Sequence, residues 1–231
     1  MTKSAGEFFG EIAGEYDSIA RRGMPCYEEL LEALAGCLPD GPTDLLELGC
    51  GTGALTRLLA ERYSEAKLRA VDAAPEMIEL AQARLVEAGV ATAGMIAETS
   101  FGVAQFETLS LPERSYDLIA SNMSLHHVED KEPFYTRLRL ALRPGGLLVF
   151  GDELKGAHAH VEERHWNAWL DYARAPGHLS EEEVARIVRH SEEIDHYETL
   201  PRQLELLRAA GFDPVDCVWR YLNYAVFVAQ A

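Results

Sequence analysis

Three glycines at alternate positions follow a short apolar run in the stretch LLELGCGTGALT, residues 45–56. A glycine-rich turn after a strand allows a ligand to approach the backbone closely. The spacing G-x-G-x-G differs from the G-x-G-x-x-G of dinucleotide-binding folds, and the Gly-Lys-Ser/Thr of a phosphate-binding loop is absent. Because Glu47 precedes the turn, the pattern favours a ligand with a positive centre over a phosphate.

A second acidic residue, Asp72, closes the run KLRAVD, residues 67–72. A carboxylate at the end of a strand can accept two hydrogen bonds from a ribose diol. Glu47 and Asp72 together indicate a nucleoside that carries an ammonium and a sulfonium instead of phosphates. The rival interpretation is that the glycines only allow a helix to pack tightly on a strand. The packing interpretation is disfavoured because the sequence has both an intact GCGTG turn and an acidic residue, Asp72, at the end of the next strand.

Histidines and carboxylates further along the chain could move a proton or hold a metal. His126 and His127 follow the run YDLIASN, where such residues more often support a turn than act as a general base. The weak candidates for a proton acceptor are His127, His165 and Asp152, with Glu153 and His196 behind them. Asp152 and Glu153 are followed by several histidines, but their spacing matches no strong ligand pattern, so no metal site is predicted.

The elements that must position these residues alternate between strands and helices. Apolar runs bounded by turn residues predict strands at 44–48, 67–72, 102–106, 116–122 and 147–153. Helical spacing predicts helices at 27–38, at 54–63 and from Pro75 onwards. Residues 89–103 give no clear prediction. The alternation implies a mainly parallel sheet with helices on both faces.

After residue 154 the pattern becomes helical. Ser180 and Glu183 form a predicted capping box, and Trp166, Trp169 and Tyr172 share a helix face that either buries a cap or walls a pocket. A last helix at 200–210 precedes two β-rich runs that are close enough to form an antiparallel hairpin. We predict one domain with an N-terminal helical segment, a cofactor-binding core, a helical cap insert, and a final helix with the hairpin. Their ranges are 1–40, 41–154, 155–199 and 200–231.

Composition limits the possible partners. The 231 residues carry a formal net charge of −17 with no basic run, which disfavours nucleic acid. The four cysteines form no CxxC pair, which is typical of a reducing compartment. The N-terminus lacks a signal-peptide pattern, and no run is apolar enough to span a membrane. We therefore expect a cytoplasmic protein with a small-molecule substrate, and a homodimer is possible.

Four stretches, in order, resemble the motifs of the class I S-adenosylmethionine-dependent methyltransferases over about residues 40–155. They are LLELGCGTG, AVDAAPEMIELAQARL, LPERSYDLIASNMSLHHV and LRLALRPGGLLVF. The resemblance implies a Rossmann-like α/β fold and S-adenosyl-L-methionine as cofactor, with S-adenosyl-L-homocysteine as product. It also implies transfer of a methyl group to a small acceptor.

The resemblance further implies which residues hold the cofactor. Gly49, Cys50 and Gly51 would line its methionyl and sugar parts, and Glu47 would orient its ammonium. Asp72 would hold the ribose, and Ala73 and Met77 would flank the adenine. Gln105, followed by Phe106, stands where the family commonly has an acidic residue. The full expected set is Glu47, Gly49, Cys50, Gly51, Gly53, Asp72, Ala73, Met77, Gln105, Phe106, Asn122 and Tyr16.

Two other functions stay open from the sequence. Some similar sequences use this cofactor in tRNA wobble-uridine modification, which would favour a positive surface near residues 122–128. The other is a cofactor-binding protein without catalysis. For the enzyme, residues 155–199 and the N-terminal helix are expected to form a mobile lid that selects an uncharged or cationic acceptor.

Overall fold

The fold is built on one seven-stranded sheet in the order β3-β2-β1-β4-β5-β7-β6. The computed structural model describes residues 4–89 and 99–231. The strands are β1 Asp44–Leu48, β2 Lys67–Asp72, β3 Thr99–Val103, β4 Tyr116–Asn122, β5 Leu142–Glu153, β6 Val215–Tyr221 and β7 Tyr224–Gln230. The first five run parallel, and β7 pairs antiparallel with both β5 and β6.

Helices precede, connect and follow the strands. In the described part of the chain they are α1 Ala5–Ile12, α2 Tyr16–Gly23, α3 Tyr27–Gly36, α4 Ala54–Arg62, α5 Pro75–Glu87, α6 Lys131–Ala141, α7 Ala159–Ala173, α8 Glu181–Glu193 and α9 Leu200–Ala209. A 3-10 turn occupies Leu125–His127. None of the described helices combines the length and apolarity needed to cross a membrane.

Alternate side chains of the central strands enter two separate hydrophobic clusters. Leu46 of β1 packs in the cluster that contains residues of α6 and α9. Its neighbour Leu45 packs in the cluster with residues of α3, α4 and α7. Successive side chains of a strand point to opposite faces, so this division places helices on both faces of the sheet, as predicted.

The strand order creates a crevice at the carboxyl edge of the sheet. From β1 the chain adds β2 and β3 on one side and then returns to add β4 on the other. Ligands in such sheets bind where the strand order reverses, outside the carboxyl ends of the strands. Leu48, Asp72 and Asn122 end three of those strands.

The bounds of β1, β2 and β4 agree with the prediction, whereas β3 and β5 differ. The third strand lies at Thr99–Val103 instead of 102–106, because its pairing with β2 ends where Val103 lies opposite Asp72, with a last bond from the Ala104 N–H to Asp72 O at 2.8 Å. As an edge strand, β3 buries little, so its sequence lacks an apolar run. The fifth strand begins at Leu142, before the predicted 147, since its first residues pair with β4 across a register shift. Residues 90–98, part of the stretch without a prediction, lie outside the described residues.

The predicted features of the C-terminal third are present. The Ser180 hydroxyl oxygen accepts a hydrogen bond from the Glu183 N–H, and the Glu183 carboxylate accepts one from the Ser180 N–H, which completes the capping box. The antiparallel hairpin forms the end of the sheet, with β7 next to β5 and β6 at the edge. The four cysteines form no disulfide.

Candidate functional site

A cavity of about 480 Å³ lies over the carboxyl ends of β1 to β4. Its volume is within the range of about 300–1,000 Å³ that is usual for small-molecule sites. Eleven of the twelve expected cofactor-binding residues line it, namely Glu47, Gly49, Cys50, Gly51, Asp72, Ala73, Met77, Gln105, Phe106, Asn122 and Tyr16. Gly53 does not line the cavity.

The three glycines of the turn serve different contacts. A Cβ on Gly49 would lie 2.2 Å from Ser124 Oγ, and a Cβ on Gly53 would lie 2.9 Å from Ala81 Cα. A Cβ on Gly51 would meet no atom within 4 Å, and the Gly51 φ of +51° disfavours other residues. Gly49 and Gly53 therefore permit close packing, whereas Gly51 keeps its face of the cavity open.

Asp72 shapes the turn as well as facing the cavity. Its Oδ2 accepts a hydrogen bond from the Gly51 N–H at 2.8 Å, and its Oδ1 accepts one from the Ala74 N–H at 2.9 Å. Burial raises the pKa of Asp72, although these backbone bonds oppose the rise. A carboxylate has about four lone-pair sites, so both oxygens can still accept from ribose hydroxyls.

Glu47 supplies a buried acceptor atom without a partner. Its side chain is only 1% exposed, and its Oε2 has no hydrogen-bond partner. Burial raises the pKa of Glu47 to about 8. Asn122 Oδ1, also in the cavity wall, is likewise buried without a partner. Since unpaired buried acceptors are costly, these atoms fit a ligand that brings an ammonium and other donors, as the expected cofactor does.

The N-terminal segment forms part of the same wall. Ser4, Gly6 and Phe9 line the cavity, and α1 lies so close to Ala73 that a Cβ on Gly6 would be 3.1 Å from its carbonyl oxygen. Of this segment, only Tyr16 was expected from the sequence to bind the cofactor, although the N-terminal helix was expected to join the lid. The capping box of Ser4 and Glu7 at the start of α1 was a sequence signal for this helix, but it did not indicate that the helix lies against the cavity.

A buried polar cluster lies beside the cavity. His127 Nδ1 is 2.8 Å from Asp195 Oδ1, and the Tyr197 hydroxyl donates to Asp195 Oδ2 at 2.6 Å. His126 Nδ1 is 2.6 Å from Asp152 Oδ1. Burial lowers the pKa of His127 to about 4, so its imidazole is neutral at pH 7. Sequence reasoning missed Asp195 and Tyr197, which follow α8 and carry no motif.

The proton-acceptor candidates are not brought together. Of the three, only His127 lines the cavity, and its Nε2 is buried without a partner. Asp152 lies behind His126, and His165 on α7 is outside the wall. Of the two further candidates for the proton acceptor, His196 lines the cavity and Glu153 does not.

The aromatic face of α7 does not wall the cavity, which corrects one of the two interpretations left open. Trp169 is buried and donates its Nε1–H to Gly23 O at 3.0 Å, and Trp166 packs with the same hydrophobic cluster. The Trp166 and Trp169 side chains of α7 therefore pack in the hydrophobic cluster on one face of the sheet. The part of the insert that reaches the cavity is Glu193, Ile194 and His196.

Acidic residues dominate the charge of the wall. Asp72, Glu47, Glu107, Glu129 and Glu193 line the cavity, and none of the described lining residues is Lys or Arg. Residues 122–128 contain no basic residue apart from the two histidines. Lys131, the next cation, is buried and donates to the carbonyl oxygens of Val128 and His196. The described surface near 122–128 therefore gives no support to the tRNA alternative.

Known proteins resemble the chain in sequence and in fold. Residues 46–150 match the family model described as a methyltransferase domain. A malonyl-[acyl-carrier protein] O-methyltransferase of Hahella chejuensis is 33% identical over 180 residues, which cover 78% of this chain and 60% of that protein. A carboxy-S-adenosyl-L-methionine synthase of Ectopseudomonas mendocina is 30% identical over 230 residues, which cover 96% of this chain and 91% of that protein.

A solved structure extends the similarity in fold. The phosphoethanolamine N-methyltransferase 2 of Haemonchus contortus, in complex with S-adenosyl-L-methionine, superimposes with a TM-score of 0.69 at 15% identity. The match covers 99% of this chain and 60% of that one. At this identity the similarity concerns the fold alone.

Proposed function

The chain belongs to the class I S-adenosylmethionine-dependent methyltransferases, and from that membership we propose that it methylates a small, neutral or cationic acceptor. When bound, the cofactor supplies a methyl group on a sulfonium, whose thioether leaving group needs no activation. The protein's residues must therefore align the acceptor, exclude water and, for an OH or NH group, remove a proton.

The observation that carries the proposal is the composition of the cavity wall. Glu47 Oε2, Asn122 Oδ1 and His127 Nε2 are buried polar atoms without partners, and all three residues face the same cavity. Glu47 and Asn122 suit the amino and hydroxyl donors of the cofactor. His127 lies where the wall passes from the strand ends to the N-terminal segment and the insert, and we place the acceptor there.

The charge of that region supports an acceptor without negative charge. Glu129 and Glu193 stand beside His127 and His196, and the described wall offers no Lys or Arg to hold an anion. An anion in a mostly apolar cavity needs a paired cation or several donors. A neutral alcohol, phenol or amine, or a cationic amine, meets no such cost.

We also propose that an acceptor proton leaves at the His127 corner of the cavity. Of the three candidates from the sequence, His127 alone lines the wall, and Asp195 holds its ring in place. In this proposal Asp152 contributes only by orienting the His126 ring through a hydrogen bond, and His165 takes no part in the proton transfer.

A second activity deserves the same assay, because the similarity to the carboxy-S-adenosyl-L-methionine synthase runs over nearly the whole chain. Bicarbonate and carboxylic acids, two common sources of a carboxyl group, are anionic at neutral pH. The described cavity wall has no Lys or Arg for such a donor. We therefore rank methyl transfer first.

One experiment separates these activities. The protein is incubated with methyl-labelled cofactor and a panel of alcohols, phenols, amines and carboxylic acids, and the products are analysed by mass spectrometry. We expect the label in one neutral or cationic acceptor. A carboxylated cofactor would favour the second activity instead. Cofactor binding without any product across a broad panel would favour the non-catalytic alternative.

A further inference from the structure

We propose that His126, His127, His190 and Asp195 form a binding site for one divalent transition-metal ion such as Zn²⁺. The site lies between the end of β4 and the segment that follows α8. It was not predicted, because the histidines weighed as metal ligands from the sequence were His158, His160 and His165, of which the first two are exposed.

The distances between the donor atoms fit an ion. One ligand atom each from His126, His127 and Asp195 can be chosen so that all lie within 4.8 Å of one another. Asp195 Oδ1 is 2.8 Å from His127 Nδ1, 3.3 Å from His190 Nε2 and 3.9 Å from His126 Nε2. Ligands about 2.1 Å from a tetrahedral ion lie roughly 3.4 Å from one another, so these three distances to Asp195 Oδ1 are near those of a coordinated ion. His190 is not part of the three-residue group, so its ring would have to move to join it.

The groups behind the ligands have the arrangement that metal sites use. A metal-bound histidine usually gives its other ring nitrogen to a carboxylate, and bound carboxylates are themselves hydrogen-bonded. His126 turns Nδ1 to Asp152 at 2.6 Å and leaves Nε2 towards Asp195. The Tyr197 hydroxyl donates to Asp195 Oδ2 and thereby leaves Oδ1 to face the histidines.

His190 is the independent observation that points to a ligand. Only 8% of His190 is exposed, and neither ring nitrogen has a hydrogen-bond partner. Its Nε2 is near Asp195 Oδ1 without the geometry of a hydrogen bond. Phe8 stacks on the ring at 4.0 Å, and Phe9 packs at 5.2 Å, so water has little access. Imidazole is a good ligand for Zn²⁺ and similar ions, so a buried imidazole without a hydrogen-bond partner fits a metal site.

The ion would connect parts of the chain that only a backbone hydrogen bond from the His196 N–H to His126 O, at 2.8 Å, is described as joining at this point. His126 and His127 belong to the turn after β4, His190 to α8 and Asp195 to the segment that closes the insert. His127 also lines the cavity, so one coordination position would face the acceptor. This consequence rests on the proposed function, whereas binding of the ion does not.

A bound ion would change how the His127 corner takes up a proton. His127 would bind through Nδ1 and keep its proton on Nε2, so it could no longer act as the proton acceptor. The ion would instead supply a bound water whose pKa can fall to about 7, and the hydroxide form of that water could take the acceptor's proton and return to water.

The test uses the full chain with its purification tag removed, since a histidine tag would itself bind metal. After dialysis against a chelator, Co²⁺ is titrated and its visible absorption followed, and Zn²⁺ then competes. We expect one Co²⁺ per chain with bands typical of four- or five-coordination. Asp195→Ala and His190→Gln should abolish the bands. Asp152→Asn should weaken affinity by about 10- to 100-fold.

A matched control is the double variant His158→Ala/His160→Ala, which removes an exposed histidine pair whose rings lie 5.8 Å apart. It should leave the titration unchanged. Absence of Co²⁺ bands in the unaltered protein would overturn the site, as would bands that survive Asp195→Ala and His190→Gln. Calorimetry with S-adenosyl-L-homocysteine shows that each variant is folded. It also separates failure of the metal site from failure of cofactor binding.

Discussion

Two walls of one cavity are held in different ways. The strand wall, residues 47–55, 72–77, 104–107 and 122, consists of strand ends and the turns directly after them. The cap wall, residues 4–16, 123–129 and 193–196, joins three segments that lie far apart in the chain. Backbone hydrogen bonds of the sheet fix the first wall, whereas the second is held by side-chain contacts such as His127 with Asp195 and by a backbone hydrogen bond from the His196 N–H to His126 O.

The difference suggests how the two walls divide the work. A wall fixed by the sheet can hold a constant ligand, since its atoms move only if the sheet does. A wall fixed by side chains between segments can open and can vary without damage to the fold. We therefore expect substitutions in the strand wall to abolish cofactor binding and substitutions in the cap wall, apart from Tyr16, to alter acceptor choice.

The largest effect should come from Gly51→Val. The new side chain would enter the cavity at a backbone conformation that valine disfavours, because the Gly51 φ is +51° and its Cβ direction is open. We expect no measurable binding of S-adenosyl-L-homocysteine by calorimetry, with the circular dichroism spectrum retained.

Gly41 offers a matched control in the loop before β1. Its φ is +63°, and a Cβ there would also meet no atom within 4 Å. Gly41→Val should therefore cost similar strain and leave affinity unchanged. Normal binding by Gly51→Val would mean that the strand wall does not hold the cofactor.

The next largest effect should come from Asp72→Ala. The change removes acceptors for the ribose and also frees the Gly51 and Ala74 N–H groups. Affinity should fall by about 1.5–4 kcal/mol, since a hydrogen bond to a charged group contributes about 1.5–3 kcal/mol and such bonds are not fully additive. Calorimetry with S-adenosyl-L-homocysteine measures the loss.

Asp117 is the comparison, because it holds a loop by the same means at the opposite end of the sheet. It accepts hydrogen bonds from the Thr43 and Asp44 N–H groups and pairs with Arg143. Asp117→Ala should lower the melting temperature and leave affinity unchanged. Equal binding by wild type and Asp72→Ala would remove Asp72 from the site.

A smaller effect should appear in the pH dependence of cofactor binding. Burial raises the pKa of Glu47 to about 8 in the free protein, and a bound ammonium would lower it. Binding should therefore release a proton, so affinity should rise with pH, by up to about tenfold per unit, and level off above pH 8.

Glu47→Gln isolates this contribution, because the ligand's own ionisation affects both proteins equally. The slope of log affinity against pH between 6 and 8 should be smaller in the variant. Identical slopes would show that Glu47 does not face the ammonium.

The smallest effect concerns movement of the cap wall. We expect S-adenosyl-L-homocysteine to slow hydrogen exchange several-fold at residues 4–16 and 190–196, since both segments reach the cavity. Hydrogen exchange at residues 165–173 should change little. Trp169 in this segment is already buried and donates a hydrogen bond to the Gly23 carbonyl oxygen. Equal protection of 190–196 with and without ligand would indicate a rigid cap and a preformed pocket.

Local signals explain why the strand wall could be predicted from the sequence. The apolar runs of β1 and β2 are bounded by turn residues, and Glu47 and Asp72 lie within or at the end of those runs. The edge strand β3 lacked such a run and was placed three residues too late. The likeness to a known family added Gln105 and Phe106, which do line the cavity.

The cap wall could not be predicted in the same way. His126 and Asp195 are 69 positions apart, and neither position carries a pattern that indicates the other. Their proximity depends on where α8 ends and on how α1 packs through Phe8 and Phe9. Helical spacing grouped Trp166, Trp169 and Tyr172 correctly, but spacing does not tell which neighbour a face will contact.

The sheet order also has a consequence for synthesis on the ribosome. Strand β6 pairs only with β7 among the described strands, yet β7 follows it in the chain and separates it from β5. Until β7 emerges, β6 has no partner, and Val218 and Tyr221, exposed even in the finished sheet, offer an apolar edge. The β6–β7 hairpin therefore folds only after β7 has been synthesised, and a pause between the two strands would lengthen the exposure of β6 to aggregation.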